Sequence, residues 1–178
     1  MKLSGKRIAI VLGDNFNADV YHHLRSCLQG AGATVLVAAS NADKELIDNR
    51  GRELLQPNLK LDDIQDLAFD VLILSDGSVS DDLRSNNEFH ELIRHAHGAG
   101  LIIGTIDLSA RYLIDAGIAA THSLTASPEL RYELEVHGAE YENEPVWVDG
   151  NLISGRLHDD IQAFCDVLVD EISLEEAA

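Results

Sequence analysis

The chain has 178 residues, with 31 acidic and 13 basic side chains and a formal net charge of −18. A surface with this charge repels nucleic acids and anionic membranes, so we expect neither as a partner. The composition fits an ordinary soluble acidic protein, and the scarcity of lysine also fits a salt-rich cytoplasm. A chain of this length buries a sizeable core, so we predict a single domain over residues 1–178, with its core at about 6–172.

The two cysteines, Cys27 and Cys165, lie far apart in the sequence, each on the apolar stripe of a predicted helix. We expect both to be reduced core residues of an intracellular protein, not partners in a disulfide. Residues 1–7 are basic, but the apolar segment that follows them is too short for a signal peptide. No apolar run approaches the ~20 residues of a membrane helix. These features predict a cytoplasmic protein.

Strand and helix patterns alternate along the first half of the chain. The predicted elements are a strand at 7–12, a helix at 18–30, a strand at 34–39, an irregular segment at 40–66 with a short helix or hairpin near 50–55, and a strand at 69–74. The first three form a βαβ unit, whose two strands are expected to be parallel.

The second half of the chain adds one more strand and a closing hairpin. The predicted elements are a helix ending at Gly98, a strand at 101–106, a short helix to 116, a helix at 129–137, a hairpin at 145–154 turning at Asp149-Gly150, a helix at 159–172 and a frayed tail at 173–178. We therefore predict an α/β fold, a three-layer sandwich with a mainly parallel central sheet and a C-terminal hairpin.

Asp107 stands where the strand at 101–106 passes into a helical pattern. A side chain on such a tight turn is presented at the carboxyl edge of the sheet, beside the free N–H groups of the helix that follows. The turn therefore has the character of a nucleophile elbow that carries a carboxylate. The alternative is that Asp107 only caps the helix, since aspartate is a favoured N-cap residue.

The order of elements, the strand that ends at Ser75-Asp76-Gly77, the elbow, and the segment from Gly138 to Arg156 together resemble the DJ-1/PfpI family of the class I glutamine-amidotransferase-like superfamily. The resemblance extends from Lys6 to about Glu171 and is closest to the PfpI branch. It implies a flavodoxin-like fold of the DJ-1/PfpI type and a homodimer or higher homo-oligomer. It implies no cofactor. The family's nominal activity is that of an intracellular protease or amidase.

The resemblance fails at the family's catalytic residues. The family elbow carries a cysteine nucleophile, followed in the PfpI branch by histidine, whereas this chain has Asp107 and Leu108. A glutamate on the first helix normally hydrogen-bonds that cysteine, and here its place falls on Val20, or on Tyr21 if the alignment shifts by one residue. The family's oxyanion-binding backbone amide corresponds to Gly77, although the neighbouring Asp76, where the family has glycine, adds an acid.

The two replacements fit together physically. A glutamate beside Asp107 would place two acids in one pocket, and a neutral residue at position 20 removes that repulsion. Cysteines of this kind oxidise to a sulfinate, which a carboxylate resembles in charge and roughly in shape. Our hypothesis is that Asp107 permanently imitates the oxidised state.

Three functions remain open from the sequence. The first is a non-catalytic pseudoenzyme with a stress-associated, scaffold or binding role. The second is a hydrolase in which Asp107 is a carboxylate nucleophile and His122 supplies a base, with Ser109 and Tyr21 as other candidate polar partners. The third is the family's protease or amidase activity, which the missing thiol disfavours.

Other residues have weaker indications. His22-His23 and His95/His97 do not share helix faces at metal-ligand spacing, so we predict no metal site. Asp81 stands where PfpI-like proteins supply an acid across a subunit interface, but without a histidine at position 108 we expect it to be a helix N-cap. Arg84 fits a salt bridge at that helix start or an interface role. Tyr141 and Trp147 could pack on a partner subunit or within the monomer.

Overall fold

A computed structural model describes residues 1–64, 67–75 and 80–175. The strands are β1 (Arg7–Val11), β2 (Thr34–Ala39), β3 (Leu46–Ile47), β4 (Leu54–Leu55), β5 (Leu59–Lys60), β6 (Val71–Leu74), β7 (Ile102–Ile106), β8 (Ser123–Leu124), β9 (Glu140–Tyr141), β10 (Val146–Asp149) and β11 (Leu152–Gly155). The helices are α1 (Ala18–Gly30), α2 (Leu61–Ile64), α3 (Asp81–Arg84), α4 (Asn87–Gly98), α5 (Arg111–Asp115), α6 (Arg131–Val136) and α7 (Ile161–Glu175).

Within the described residues, the central sheet has seven strands in the order β10-β11-β7-β6-β1-β2-β5. All neighbouring pairs are parallel except β10 and β11, which form the antiparallel hairpin at one edge. Helices cover both faces, each over its own apolar cluster. The predicted three-layer α/β sandwich with a mainly parallel sheet and a C-terminal hairpin is therefore confirmed.

The inner strands form because their residues are apolar on both faces, as a sheet covered by helices requires. All four residues of β6 and all five of β7 are buried. Asparagine side chains cap the starts of two long helices, α1 and α4. The Asn17 side chain accepts a hydrogen bond from the Val20 amide at the start of α1, and Asn86 accepts one from Phe89 at the start of α4.

Helix α7 packs on the sheet over two strand glycines. A Cβ atom on Gly155 of β11 would stand 3.0 Å from the ring of Phe164, and one on Gly104 of β7 would stand 3.1 Å from it. Phe164 itself is fully buried. The missing side chains at the two glycines therefore let α7 approach these two neighbouring strands.

Several predicted elements differ in detail from the structure. The irregular segment contains the hairpin β3–β4, together with β5 and α2. The closing hairpin turns at Gly150-Asn151, not at Asp149-Gly150, because Asp149 still pairs with Leu152 and Gly150 takes a positive φ of 59°. Helix α7 starts later and ends later than predicted, after a 3₁₀ turn at His158–Asp160, so the tail expected to fray from Ser173 is helical as far as Glu175.

The short parallel pair β8–β9 was not predicted, because two-residue strands carry no periodic signal. Among the described residues, no helix combines the length and apolar character needed to cross a membrane.

The glycine contacts lead to a stability prediction. Gly155→Ala should lower the free energy of unfolding by about 1–3 kcal/mol, because the new methyl group overpacks against Phe164 and Ile106. The measurement is urea denaturation.

Gly98→Ala is the matched control. It lies at the end of α4 with no atom within 4 Å of the added Cβ, so it should be neutral or stabilise by up to about 1 kcal/mol. A Gly155→Ala protein as stable as the wild type would mean that α7 is free to shift away from the sheet.

Candidate functional site

The corner between β7 and α5 is a strained turn centred on Asp107. This residue has a φ of +59°, in the left-handed region that few residues other than glycine adopt, although aspartate tolerates it better than most. Residues Asp107–Ala110 form a 3₁₀ turn that continues into α5. The strand-to-helix elbow that the sequence predicts is therefore present.

Ser109 holds the elbow in shape. Its hydroxyl donates a hydrogen bond to the Ile106 carbonyl and accepts one from the Ile106 amide, both at 2.8 Å. The side chain is fully buried. Because both of these bonds are made with the backbone of Ile106, Ser109 is a structural residue of the turn and not a polar partner of Asp107.

The Asp107 carboxyl is about three-quarters buried, with 24% of its side chain exposed. Its Oδ2 lies 3.7 Å from Nδ1 of His158, and its carboxyl interacts with the hydroxyl of Ser127. Burial raises the pKa of Asp107, and the nearby charge of Glu129 raises it further, while His158 and Ser127 act in the opposite direction. The elbow thus carries a partly desolvated acid with a histidine beside it.

Strand order explains why His158 reaches Asp107. Strand β11 pairs in parallel with β7, with Gly155 opposite Ile106, so both strands end at the same edge of the sheet. His158 follows β11 by three residues and begins the 3₁₀ turn before α7. Sequence reasoning missed it. A histidine just beyond the second strand of the hairpin is visible in the sequence. It indicates a neighbour of Asp107 only when β11 is known to pair with the elbow strand β7.

Val20 and Leu108 make the surroundings of the elbow apolar where the family resemblance implies glutamate and histidine. Val20 is 6% exposed, and with His158 it lines a surface cavity of about 430 Å³ between the start of α1 and the start of α7. Leu108 is partly buried and packs against the core on the α4 side of the sheet. The cavity therefore joins Val20, one of the two candidates for that acid position, to His158.

The hydroxyl of Tyr21, the other candidate for the family's acid position, is engaged by a residue of its own helix. Its hydroxyl accepts a hydrogen bond from Nη1 of Arg25, one turn further along α1, and its ring packs edge-on against Phe16. The side chain is 1% exposed. Tyr21 is thus a core residue whose hydroxyl is engaged away from the start of α1.

The structure does not bring His122 to Asp107. Its Nδ1 lies 3.0 Å from Oδ2 of Asp149, and its ring packs edge-on against His97. Asp149 pairs with Leu152, which stands opposite Ile103 near the beginning of β7. Asp107 follows the other end of that strand, roughly 13 Å away at the usual rise per residue. The histidine near the elbow is therefore His158.

The remaining candidates lie around α3. Asp81 occupies the first turn of α3 behind Ser80, which holds the N-cap position, so the expectation that Asp81 is itself the cap is wrong. Arg84 donates two hydrogen bonds to Asp115 and ties α3 to α5. Asp76 and Gly77, including the proposed oxyanion-type amide, lie outside the described residues.

Tyr141 and Trp147 are the two aromatic residues that the sequence offers for a subunit interface. Tyr141 donates a hydrogen bond to the Ala126 carbonyl, and the guanidinium of Arg131 lies over its ring, so it packs within the chain. Trp147 is half-buried on β10, the edge strand of the sheet. Within the described ranges, no group of three or more His, Cys, Asp or Glu side chains has a metal-binding arrangement.

Comparison with known families assigns the fold and the lineage. The family model described as "DJ-1/PfpI family" matches residues 6–171. The chain belongs to the DJ-1/PfpI family.

Individual relatives agree with this assignment. An Escherichia coli protein named protein/nucleic acid deglycase 2 is 27% identical over 160 residues, which cover 89% of this chain and 93% of that protein. The crystal structure of Drosophila melanogaster DJ-1beta superposes with a TM-score of 0.87 at 24% identity, covering 94% of this chain and 90% of that one.

A two-domain Anabaena variabilis protein, with DJ-1/ThiJ/PfpI-like and ferritin-like domains, has the same TM-score at 22% identity. There the match covers 94% of this chain but only 48% of that longer chain. The two structural matches show that the fold is that of the DJ-1/PfpI proteins.

The environment of Asp107 predicts a pH effect on stability. Because its pKa is raised above 3.8 in the folded state, the protonated acid stabilises the fold below that pH, and this contribution is lost as the pH rises through the folded pKa. Asp107→Asn, which tolerates the same backbone conformation, should be more stable than the wild type at neutral pH. The difference should shrink below pH 3.8, as measured by denaturant unfolding at each pH.

Asp149→Asn is a control with the opposite sign. The Ser123 amide and His122 hold the pKa of Asp149 below its usual value, so this variant should lose stability at neutral pH and approach the wild type as the pH falls. Equal pH profiles for the two variants would contradict the assignment of a desolvated acid at the elbow.

Proposed function

We propose that this protein is a divergent DJ-1/PfpI member without thiol chemistry, in which the elbow is a carboxylate-bearing binding site that serves a stress-associated or scaffold role. The observation that carries the proposal is Asp107 itself, held in the left-handed elbow conformation where the family places its cysteine. The residues that the resemblance aligns with the family's other catalytic positions, Val20 and Leu108, are apolar.

Neither cysteine replaces the missing nucleophile. Cys27 lies on α1 and Cys165 on α7, and the two contact each other, not the elbow. The E. coli relative is named a deglycase. Transfer of that activity to this chain by a thiol mechanism would require a nucleophilic sulfur at position 107, which is an aspartate here.

Two groups near Asp107 offset part of the cost of burying its negative charge. The hydroxyl of Ser127 interacts with the carboxyl, and protonated His158 would supply a positive charge at 3.7 Å. A carboxylate in this position has the charge and approximate shape of a cysteine sulfinate. On this proposal, the protein presents permanently, and without an oxidant, the charged surface that an oxidised family member would present.

A second function is favoured by one observation, the histidine beside the carboxylate. In a carboxylate-nucleophile hydrolase, Asp107 would attack an electrophilic carbon, the leaving group would depart and an ester to Asp107 would form. His158 would then take a proton from a water that hydrolyses this ester and regenerates the carboxylate. At 3.7 Å the two side chains are too far apart for a direct hydrogen bond, which is the spacing of neighbours and not of an established catalytic pair.

A hydrolase panel of esters, small amides, peptides and halogenated carbon compounds separates the two functions. The binding proposal predicts no turnover by the wild type or by Asp107→Asn. Turnover by the wild type that disappears in Asp107→Asn would establish the hydrolase and overturn the binding proposal.

The same panel identifies the base. If the hydrolase is correct, His158→Gln should lower kcat by about 10²–10⁴-fold, the usual contribution of a general base, whereas His122→Gln should leave it unchanged. His122 is the matched control because it is a partly buried histidine, paired with a carboxylate, at the opposite end of β7.

The sulfinate hypothesis has a separate test. Asp107→Cys, made in a Cys27→Ser/Cys165→Ala background, contains a single thiol. If Ser127 and His158 stabilise an oxidised sulfur at this position, dilute hydrogen peroxide should convert that thiol to a sulfinic acid, visible as an added mass of about 32 Da. A thiol at position 107 that reacts no faster than a free cysteine would contradict a role of Ser127 and His158 in holding an anion there.

A further inference from the structure

The seam between α1 and α7 brings the two cysteines of the chain together. The helices pack side by side on the same face of the sheet, and Cys27 and Cys165 belong to one apolar cluster there. The side chains contact each other, and both are free thiols. The chain has no other cysteine. The sequence correctly places each on an apolar helix stripe but does not indicate that the stripes meet.

The two thiols differ in their access to solvent. Cys165 is fully buried, whereas Cys27 is half-buried. Two surface cavities, of about 300 and 520 Å³, open along the seam, and Cys27 lines both of them. The first is completed by His23, Ser26 and Gln162, and the second includes Lys2, Asp166 and Asp170. A small molecule in either cavity can therefore reach Cys27 but not Cys165.

The pKa shifts of the two thiols also favour Cys27 as the reactive one. The side-chain hydrogen bond from Cys165 lowers the pKa of Cys27, against the opposing effects of burial and of the Asp166 charge. The interaction with Cys27, together with burial, raises the pKa of Cys165. Cys27, the half-buried sulfur, therefore gives up its proton more readily than the buried Cys165. A thiolate is the nucleophilic form of cysteine.

We propose that Cys27 and Cys165 form a second reactive site, in which Cys27 reacts with small hydroperoxides and Cys165 completes the reaction by closing a disulfide between α1 and α7. This site is independent of the function proposed for Asp107.

Each step balances. The Cys27 thiolate attacks one peroxide oxygen, an S–O bond forms, the O–O bond breaks, and the departing oxygen takes a proton to leave as water or an alcohol. The Cys165 thiol then attacks the Cys27 sulfur, an S–S bond forms, and the sulfenic hydroxyl leaves with the Cys165 proton as water. Two thiols are oxidised by two electrons and one peroxide is reduced. A dithiol reductant restores the pair by exchange.

The chemistry of the cavities restricts the substrate. Asp166 and Asp170 lie at the larger cavity, and Lys2 is paired with Asp170 at 2.6 Å, so no unpaired positive charge among the lining residues attracts an anion. Uncharged hydrogen peroxide and small neutral organic hydroperoxides fit this environment. Peroxides that carry a carboxylate are disfavoured by the same acids.

The test is thiol counting on the intact protein. After treatment with a small molar excess of hydrogen peroxide, alkylation under denaturing conditions and mass spectrometry should show the number of free thiols falling from two to none. The protein should remain monomeric in its covalent mass and lose the mass of two hydrogens, and a dithiol should restore both thiols. Two alkylatable thiols after treatment, or disulfides only between chains, would overturn the proposal.

Two variants with one cysteine each distinguish the thiol that attacks the peroxide from the thiol that closes the disulfide. In Cys165→Ala, Cys27 should still react at about the wild-type rate but stop as a sulfenic or sulfinic acid, because no second thiol remains to form the disulfide. In Cys27→Ser, the buried Cys165 should lose its thiol at least about tenfold more slowly than Cys27 does in the wild type. Equal rates for the two variants would contradict the assigned roles. Circular dichroism checks that both variants fold, and Cys165→Ser replaces Cys165→Ala if the alanine leaves an unstable core.

Discussion

The close contact of α7 with the sheet sets the positions of His158 and Cys165. The ring of Phe164 packs where Gly104 and Gly155 lack side chains, on the two strands that end at the elbow. This contact fixes the start of α7, and therefore His158, at the carboxyl edge beside Asp107. It also fixes the next residue, Cys165, against α1. A shift of the helix by one side-chain diameter would change both neighbourhoods together.

The elbow illustrates how a strained turn persists when its reactive residue changes. The left-handed backbone at Asp107 is held by the two hydrogen bonds of Ser109 and by the burial of β7, neither of which depends on the side chain at position 107. A non-glycine residue in that conformation costs on the order of 1–3 kcal/mol. Aspartate reduces that cost because it tolerates left-handed geometry. The fold can therefore keep the shape of the elbow while the chemistry at its centre becomes that of a carboxyl group.

Local patterns in the sequence were enough to predict the sheet, the long helices, the elbow and the closing hairpin, because each has a periodicity or a turn within about twenty residues. Contacts between distant segments were not predictable in this way. His158 meets Asp107 only because β11 lies beside β7, and His122 fails to meet it because it lies at the other end of that strand. Cys27 and Cys165 each have the pattern of an ordinary core residue, and their contact depends on how α1 and α7 are placed side by side.

The distribution of sulfur in the chain distinguishes the chemistry of the two proposed sites. A carboxylate at the elbow has no redox states, so Asp107 cannot record exposure to an oxidant. The sulfur atoms of the chain belong to Cys27, Cys165 and Met1, and Met1 is an exposed terminal residue whose side chain is 87% accessible. Of these three residues, the two cysteines can form a disulfide with each other, and they lie at the seam where a half-buried sulfur adjoins a buried one. On the two proposals, the elbow keeps a carboxyl group whatever the oxidant, and the response to peroxide lies between the facing sides of α1 and α7, which pack on the same face of the sheet.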